Sequence, residues 1–200
     1  MRAKGVFICV EGLDGCGKST QARLLVGRLR KMGLPAVYTA EPSRGKVGLF
    51  IRRHCLHGAE RVSPFVEALL FAADRFEHVE REVKPSLNVG KVVVSDRYVY
   101  SSMAYQGAAG VDLDWIARIN VHAVRPDLAL FLDVEPAVVV TRLKRKRSVM
   151  ENLETQRKVR RVYMRLMERG DLIRVNGNKS KSEVADAILK SVKKFLAERG

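Results

Sequence analysis

The chain has 200 residues, 46% hydrophobic and 30% charged, the balance of an ordinary globular protein with enough length to bury a sizeable core. No apolar run approaches a membrane span, and the three cysteines, Cys9, Cys16 and Cys55, show no CxxC spacing, which argues against a disulfide framework or zinc site and makes a reducing cytoplasm the expected setting. The net charge of +15 admits two readings, a basic face for nucleic acid or a small anionic substrate on a generally basic protein, and charge alone does not choose between them.

The elements follow in chain order. Residues 5–10 read as a buried strand, because Val6, Phe7, Ile8, Cys9 and Val10 are consecutive and apolar. A glycine-rich turn leads into a helix over 18–32, with Ala22, Leu25, Val26 and Leu29 at helical spacing. A short strand over 36–39 comes next, then the loop EPSRGKVG and a short helix over 47–57. Ser63 and Pro64 form a cap and first-turn pair for a longer helix through about Val83, and Pro85 and Gly90 are expected to break the chain. KVVVS is another buried strand, ending at Asp96; helical patterns over 98–109 and 112–124 follow, stopped by Pro126. LALFLDV is a further strand, 136–145 and 151–168 are helices, 172–175 is the last strand and 182–197 the closing amphipathic helix. Strands alternating with helices predict an α/β fold with a parallel sheet covered on both faces; the motifs and the resemblance set out below imply a P-loop NTPase of three α/β/α layers, with a parallel five-stranded sheet and a short helical lid. We read residues 1–200 as a single domain, with the lid at about 142–152. Ligands of such sheets gather beyond the carboxyl ends of the strands, where Glu11, Glu41, Asp96 and Asp133 fall.

Gly12 to Ser19 fits G-x-x-x-x-G-K-S, between a buried strand and a helix N-terminus. Glycines let backbone N–H groups turn inward, and with the positive end of the helix those groups cradle phosphate oxygens. The expected ATP-binding stretch is Gly12, Leu13, Asp14, Gly15, Cys16, Gly17, Lys18, Ser19 and Thr20. Lys18 reaches the outer phosphates, and the Ser19 hydroxyl with the Asp96 carboxylate holds Mg2+. In SDRYVYSSMAYQG, Arg97 follows that aspartate and can point at a phosphate, with Tyr98, Tyr100, Tyr105 and Gln106 beside it.

GLDGCGKST, EPSRG, LLFAADRFEHV, VVVSDRYVYSSMAYQG and PDLALFLDVEP, in this order and spacing, resemble the motifs of the thymidylate kinases, and the resemblance covers nearly the whole chain. It implies transfer of the γ-phosphoryl group of ATP to dTMP, giving dTDP. It implies that Phe71 stacks on thymine and that Arg75, four residues on and so on the same helix face, hydrogen-bonds a thymine carbonyl. It assigns Arg97 to the acceptor phosphate and Ser101, Tyr105 and Gln106 to the nucleoside pocket, with Tyr105 a wall against a ribose 2′-hydroxyl. It makes Asp14 a carboxylate assisting the acceptor end, and packs Arg142 on adenine. It also implies a homodimer.

The chain departs from the family at the lid, RLKRKRSVMENLETQ, where the usual acidic-Arg-x-Glu run reads Ser148, Val149, Met150 and Glu151. Arg145 and Arg147 are the candidate catalytic replacements, and the sequence does not choose between them. Ala40 stands where many members have an arginine before the glutamate, leaving Glu41 to support Arg97 or the substrate. The short lid and the EPSRGKVG loop look more like archaeal than bacterial members. Among rival functions, dUMP differs from dTMP by one methyl, worth ~1–3 kcal/mol of discrimination. A GTP switch wants N-K-x-D where the chain offers only NKSK. A nucleic-acid-binding ATPase wants a track of stacking aromatics, but aromatics make up only 6% of the chain and several belong to the nucleoside pocket; nucleic acid is therefore not the expected partner.

Overall fold

A computed structural model describes residues 5–56, 62–142 and 152–199. Its sheet has five parallel strands in the order β2-β3-β1-β4-β5: β1 (Val6–Gly12), β2 (Ala36–Ala40), β3 (Val92–Asp96), β4 (Leu128–Asp133) and β5 (Ile173–Asn176). The strands without polar alternation, β1, β3 and β4, are buried along their whole length. They are the three central strands, covered by helices on both faces. The registers pair Val10 with Asp96 on one side of β1 and Glu11 with Phe131 on the other. Glu11, Asp96 and Asp133 therefore emerge at one edge of the sheet, around the point where the chain leaves β1 for β2 on one side and β3 for β4 on the other.

One face carries α1 (Lys18–Lys31) and α9 (Lys181–Arg199), which pack on each other; the other carries α5 (Val99–Ala108) and α8 (Leu153–Glu168), also in mutual contact. Two aromatic pairs lock this second face to the sheet. Phe131 stacks on Tyr163 at 4.8 Å between ring centroids, and Phe7 meets Tyr98 edge-on at 4.8 Å. Such pairs add about 0.5–1.5 kcal/mol beyond the area they bury, and they fix two tyrosines that border the site.

The long helix expected to stop near Val83 runs further. It begins as α3 (Pro64–His78), capped by Ser63, whose hydroxyl accepts the Val66 N–H at 3.3 Å. It passes through a π-helical turn, Val79–Val83, into α4 (Lys84–Asn88), where Pro85 sits in the first turn. A proline there gives up an N–H that a first turn leaves unpaired anyway, so it does not end the helix. The helix over 47–57 is seen as α2 (Lys46–Ile51) followed by another π turn, Arg52–Leu56. The helix over 112–124 is shorter than its pattern: α6 (Leu113–Ile119) ends at Asn120, whose side-chain amide donates to the Ile116 carbonyl at 2.8 Å. After β4, α7 (Pro136–Arg142) closes the second described stretch.

Candidate functional site

The glycine loop is built from consecutive residues. Gly12 has φ 146°, and a Cβ there would meet the Leu132 carbonyl at 2.7 Å and the Cys16 sulfur at 2.8 Å. Gly17, with φ 101°, starts α1 and supplies no side-chain cap, so the helix's first N–H groups face outward unclaimed by a cap. Lys18 is buried, and its ammonium donates back to the Leu13 carbonyl at 2.6 Å. Gly15, Gly17 and Thr20 are exposed around it, with Leu13 and Cys16 buried beneath. Ser19 donates its hydroxyl to Asp96 Oδ2, which also accepts the Tyr38 hydroxyl at 3.3 Å. The other oxygen, Oδ1, is buried and has no partner among the described residues. A spare carboxylate oxygen beside a hydroxyl fits a hard divalent cation that takes its remaining ligands from phosphate and water. Among the described residues no cluster of three or more His, Cys, Asp or Glu could cage a metal by itself.

The neighbouring cluster draws on residues in or beside β2, β3, α3, α5 and α6. Arg97 leaves β3 with a left-handed backbone, φ 72°. Its guanidinium donates to Asp14 of the glycine loop and, at 3.0 Å, to the Ser101 hydroxyl. It also lies over the Tyr105 ring, 5.0 Å from the centroid, and the Tyr105 hydroxyl donates to the second Asp14 oxygen at 2.9 Å. Burial alone would raise the Asp14 carboxyl, but the charges of Arg97 and Lys18 and the Tyr105 hydrogen bond outweigh it and hold the group below its ordinary range. Burial, reinforced by the Asp14 charge, drives the Tyr105 phenol far upward, so it stays a donor. The glycine loop and the arginine after β3 thus meet through one carboxylate.

Farther in, Arg75 of α3 is 1% exposed. Glu41 Oε2, just beyond β2, accepts its Nε at 3.1 Å and one Nη at 2.7 Å. Asn120 accepts the other Nη at 2.6 Å, and Ser102 accepts at 3.0 Å. Four of the five guanidinium N–H groups are thereby engaged. Glu41 Oε1 meets His78 Nδ1 at 3.1 Å, and His78 Nε2 lies 2.6 Å from the Thr39 hydroxyl. Glu41 therefore serves Arg75 and His78; it does not bond Arg97. Phe71 is half-buried one turn before Arg75. Gln106 donates to Glu67 at 3.2 Å, and its carbonyl oxygen is buried without a partner among the described residues. Ser43 of the EPSRG loop is pinned to Asp74 of α3, its N–H donating at 2.7 Å and its hydroxyl at 2.5 Å, which fixes the stretch after Glu41.

Some residues lie elsewhere. Asp133, at the end of β4, is a buried anchor for Arg160 at 2.8 Å and Arg174 at 2.7 Å. Burial would raise its carboxyl, but those two guanidinium groups hold it low. Arg142 is exposed at the end of α7. Arg145 and Arg147, and residues 143–151 of the expected lid, lie outside the described residues. Sequence reading gave no role to Ser102, Asn120, His78 or Asp74. The last two carried a signal: Phe71, Asp74, Arg75 and His78 recur at helical spacing on one face. Asn120 carried none, because its neighbours read as the interior of a longer helix.

Comparison with known proteins places these residues in a family context. The family model described as thymidylate kinase matches residues 10–188. A probable thymidylate kinase of Thermococcus onnurineus is 45% identical, the match covering 97% of this chain and 100% of the relative. Proteins of the same description from Pyrococcus abyssi (43% identical, 96% of this chain, 98% of the relative) and Pyrobaculum aerophilum (41%, 95% and 97%) are similar over nearly their full length.

Proposed function

Because the chain belongs to the thymidylate kinase family, we infer that it transfers the γ-phosphoryl group of ATP to dTMP, giving dTDP and ADP. The observation that carries the site reading is the Asp14–Arg97–Tyr105 cluster, which joins the glycine loop to the pocket side of α5. Phosphoryl transfer asks a protein mainly to align two nucleotides and neutralise charge. The N–H groups from Gly12 to Thr20 cradle the ATP phosphates. Lys18 exchanges the Leu13 carbonyl for a phosphate oxygen, a swap within reach of its flexible stem. Arg97 orients the acceptor phosphate, with Asp14 limiting where that guanidinium can go. Phe71 stacks on the base, and the one unengaged Nη hydrogen of Arg75 is available to a base carbonyl. Gln106 and Ser101 line the nucleoside, and Tyr105 stands where a 2′-hydroxyl would crowd. Arg142 faces the adenine, and Arg145 or Arg147 of the lid adds positive charge at the phosphates.

Ser19 and Asp96 are the residues for Mg2+. When bound, the ion neutralises phosphate charge and fixes the geometry of the phosphate chain. No helix among the described residues is long and apolar enough to cross a membrane. We place the enzyme in the cytoplasm, in keeping with three free, buried cysteines. We further propose a homodimer, supported by exposed Phe65, Val66 and Leu69 on α3, with Phe65 against Trp115 at 5.5 Å.

ADP formation with Mg2+ and ATP, offering dTMP, dUMP, ribothymidine monophosphate and dCMP separately, tests the assignment. Fastest turnover with dTMP, a smaller penalty for dUMP (~10-fold, the worth of a methyl) and a larger one for the ribonucleotide are expected. Turnover independent of any monophosphate contradicts it.

A further inference from the structure

Glu11 is the penultimate residue of β1 and is fully buried. A carboxylate at that depth persists only where donors satisfy it, and three do. Oε1 accepts the Tyr98 N–H at 2.8 Å; Oε2 accepts the Ser101 hydroxyl at 2.6 Å and the Tyr163 hydroxyl at 3.0 Å. The Ser101 oxygen is the same atom that accepts the Arg97 guanidinium at 3.0 Å. Two side-chain bonds therefore separate Glu11 from Arg97.

The backbone tells the same story. A left-handed residue with a Cβ is strained and persists only where its surroundings over-determine it. Arg97 is held at three successive points. Its N–H donates to the Val10 carbonyl at 3.0 Å, and its carbonyl accepts the Ser95 hydroxyl at 2.6 Å. The next N–H, that of Tyr98, is the one Glu11 takes. Tyr98 occupies the N-cap position of α5 but offers no side-chain cap. Glu11, from the end of β1, accepts the N–H of this N-cap residue itself, as the reciprocal carboxylate of a capping box does, and its charge suits the positive end of the helix.

We propose that Glu11 is a positioning residue for catalysis: its carboxylate fixes the start of α5 and the Ser101 hydroxyl, so that Arg97 is aimed at the acceptor phosphate. The proposal rests on the reading of Arg97 as the acceptor-phosphate arginine. It also couples the two halves of the site, because Glu11 immediately precedes the glycine loop. The ionised carboxylate is the positioning form. Protonated at Oε2, it donates a hydrogen bond to Ser101 or Tyr163 in place of accepting one, and Ser101 must reorganise beneath Arg97.

Burial pushes the Glu11 carboxyl up to about 7, against the lowering pull of Ser101, Arg97, Tyr163 and the Tyr98 N–H. The other groups that face it titrate elsewhere. Cys9 on β1 and Tyr163 on α8 are driven well upward by burial, Tyr100 on α5 is pushed up to about 12 by burial, and Arg97 stays cationic, held so by Tyr105 and Asp14 against its own burial. Loss of activity on acidification through about 7 therefore belongs to Glu11 and to the second ionisation of the substrate phosphate, which a variant separates.

The experiment compares wild type, Glu11→Gln, Ser101→Ala, the double variant and Arg97→Ala. It measures kcat and KM for dTMP and ATP from pH 6 to 9, with melting temperatures alongside. Glu11→Gln is expected to lower kcat/KM for dTMP about tenfold or more and to leave the ATP KM within about twofold. Its remaining acid limb should be only that of the substrate. The double variant should lose no more than the worse single one, because both act through one contact. Unchanged acceptor kinetics and an unchanged acid limb in a folded Glu11→Gln overturn the proposal, as does full additivity in the double variant. If Glu11→Gln does not fold, Ser101→Ala decides alone: an acceptor efficiency and acid limb like those of wild type overturn it. An Arg97→Ala variant that keeps normal dTMP turnover sinks the underlying reading of Arg97; a dead Arg97→Ala beside a normal Glu11→Gln sinks only the role of Glu11.

Discussion

The glycine loop and the cluster around Arg75 lie beyond the carboxyl ends of one sheet's strands and are made in opposite ways. The loop is nine consecutive residues with its groups left open, uncapped N–H groups at the start of α1 and a Lys18 ammonium turned back on the Leu13 carbonyl, and Asp96 at the end of β3 keeps a spare oxygen beside it. The cluster gathers Glu41, Arg75, Ser102 and Asn120 from four separate elements and ties them together, with four of the five Arg75 donors engaged. An open site spends little stability on being ready and waits for its ligand to complete the hydrogen bonding. A closed one is organised beforehand by the fold, so that losing a member damages the protein as well as the reaction. Substitutions in the two regions should therefore fail in different measurements.

The largest effect expected on activity is at Lys18. Lys18→Met should lower kcat by about 10²–10³-fold, as removal of one charge-stabilising donor does, while leaving the melting temperature and dTMP binding near wild type. Equal loss of fold and activity would erase the contrast. Arg75→Ala should show the reverse weighting. It strands a buried Glu41 carboxylate, 6% exposed, and should cost about 3–5 kcal/mol in denaturant unfolding. Arg75→Ala together with Glu41→Gln should recover part of that, since the orphaned charge is then gone.

Two carboxyls, Glu11 just before the loop and Asp14 within it, sharpen the comparison through pH. Glu11 is raised, mainly by burial, from 4.5 to about 7 in the fold. Between those values the native state holds more protons than the unfolded chain. Stability therefore falls as pH rises from 4.5 toward 7, by up to about 3 kcal/mol. Asp14 has the opposite sign: its lowered carboxyl contributes stability above the unfolded value of 3.8 that is lost as pH falls through the folded one. Relative to wild type, Glu11→Gln should thus be more stable at pH 8 than at pH 5, even while it turns over dTMP more slowly. A variant less stable at pH 8 than at pH 5, relative to wild type, contradicts the assigned sign. At the small end, the exposed Glu80–Lys84 pair at 2.5 Å lies on neither site. Glu80→Ala should change stability by no more than about 0.5 kcal/mol and kinetics not at all.

The same division explains what the sequence disclosed. The loop was legible because its chemistry is local: the glycines, Lys18 and Ser19 lie within eight residues, between an apolar run and a helical pattern. The order of strands and the end of β3 at Asp96 followed from unbroken apolar runs. Phe71 and Arg75 declared a shared helix face by their spacing. The pocket's closure was not legible, because it depends on side chains brought together across the fold. Asn120 ends α6 early and turns its carbonyl oxygen to Arg75, a bond between residues 45 positions apart that no periodicity encodes. Glu41 was placed at a strand end as a support for Arg97 or the substrate; it bonds Arg75 and His78 and not Arg97. Glu11 stood at a strand end with no role, since the donors that hold it come from α5 and α8. Pro85 misled for a local reason: the π turn before it allows a new first helical turn, where proline is tolerated.

The most direct test of the whole account is the initial rate of ADP formation from ATP and Mg2+, with and without dTMP, in wild type and in Arg97→Ala. The account predicts rapid acceptor-dependent turnover in the wild type, about 10²-fold or more slower in the variant, with ATP binding retained. Turnover that ignores dTMP, or an Arg97→Ala enzyme as fast as wild type, would contradict the claim that the glycine loop and the arginine after β3 serve one reaction.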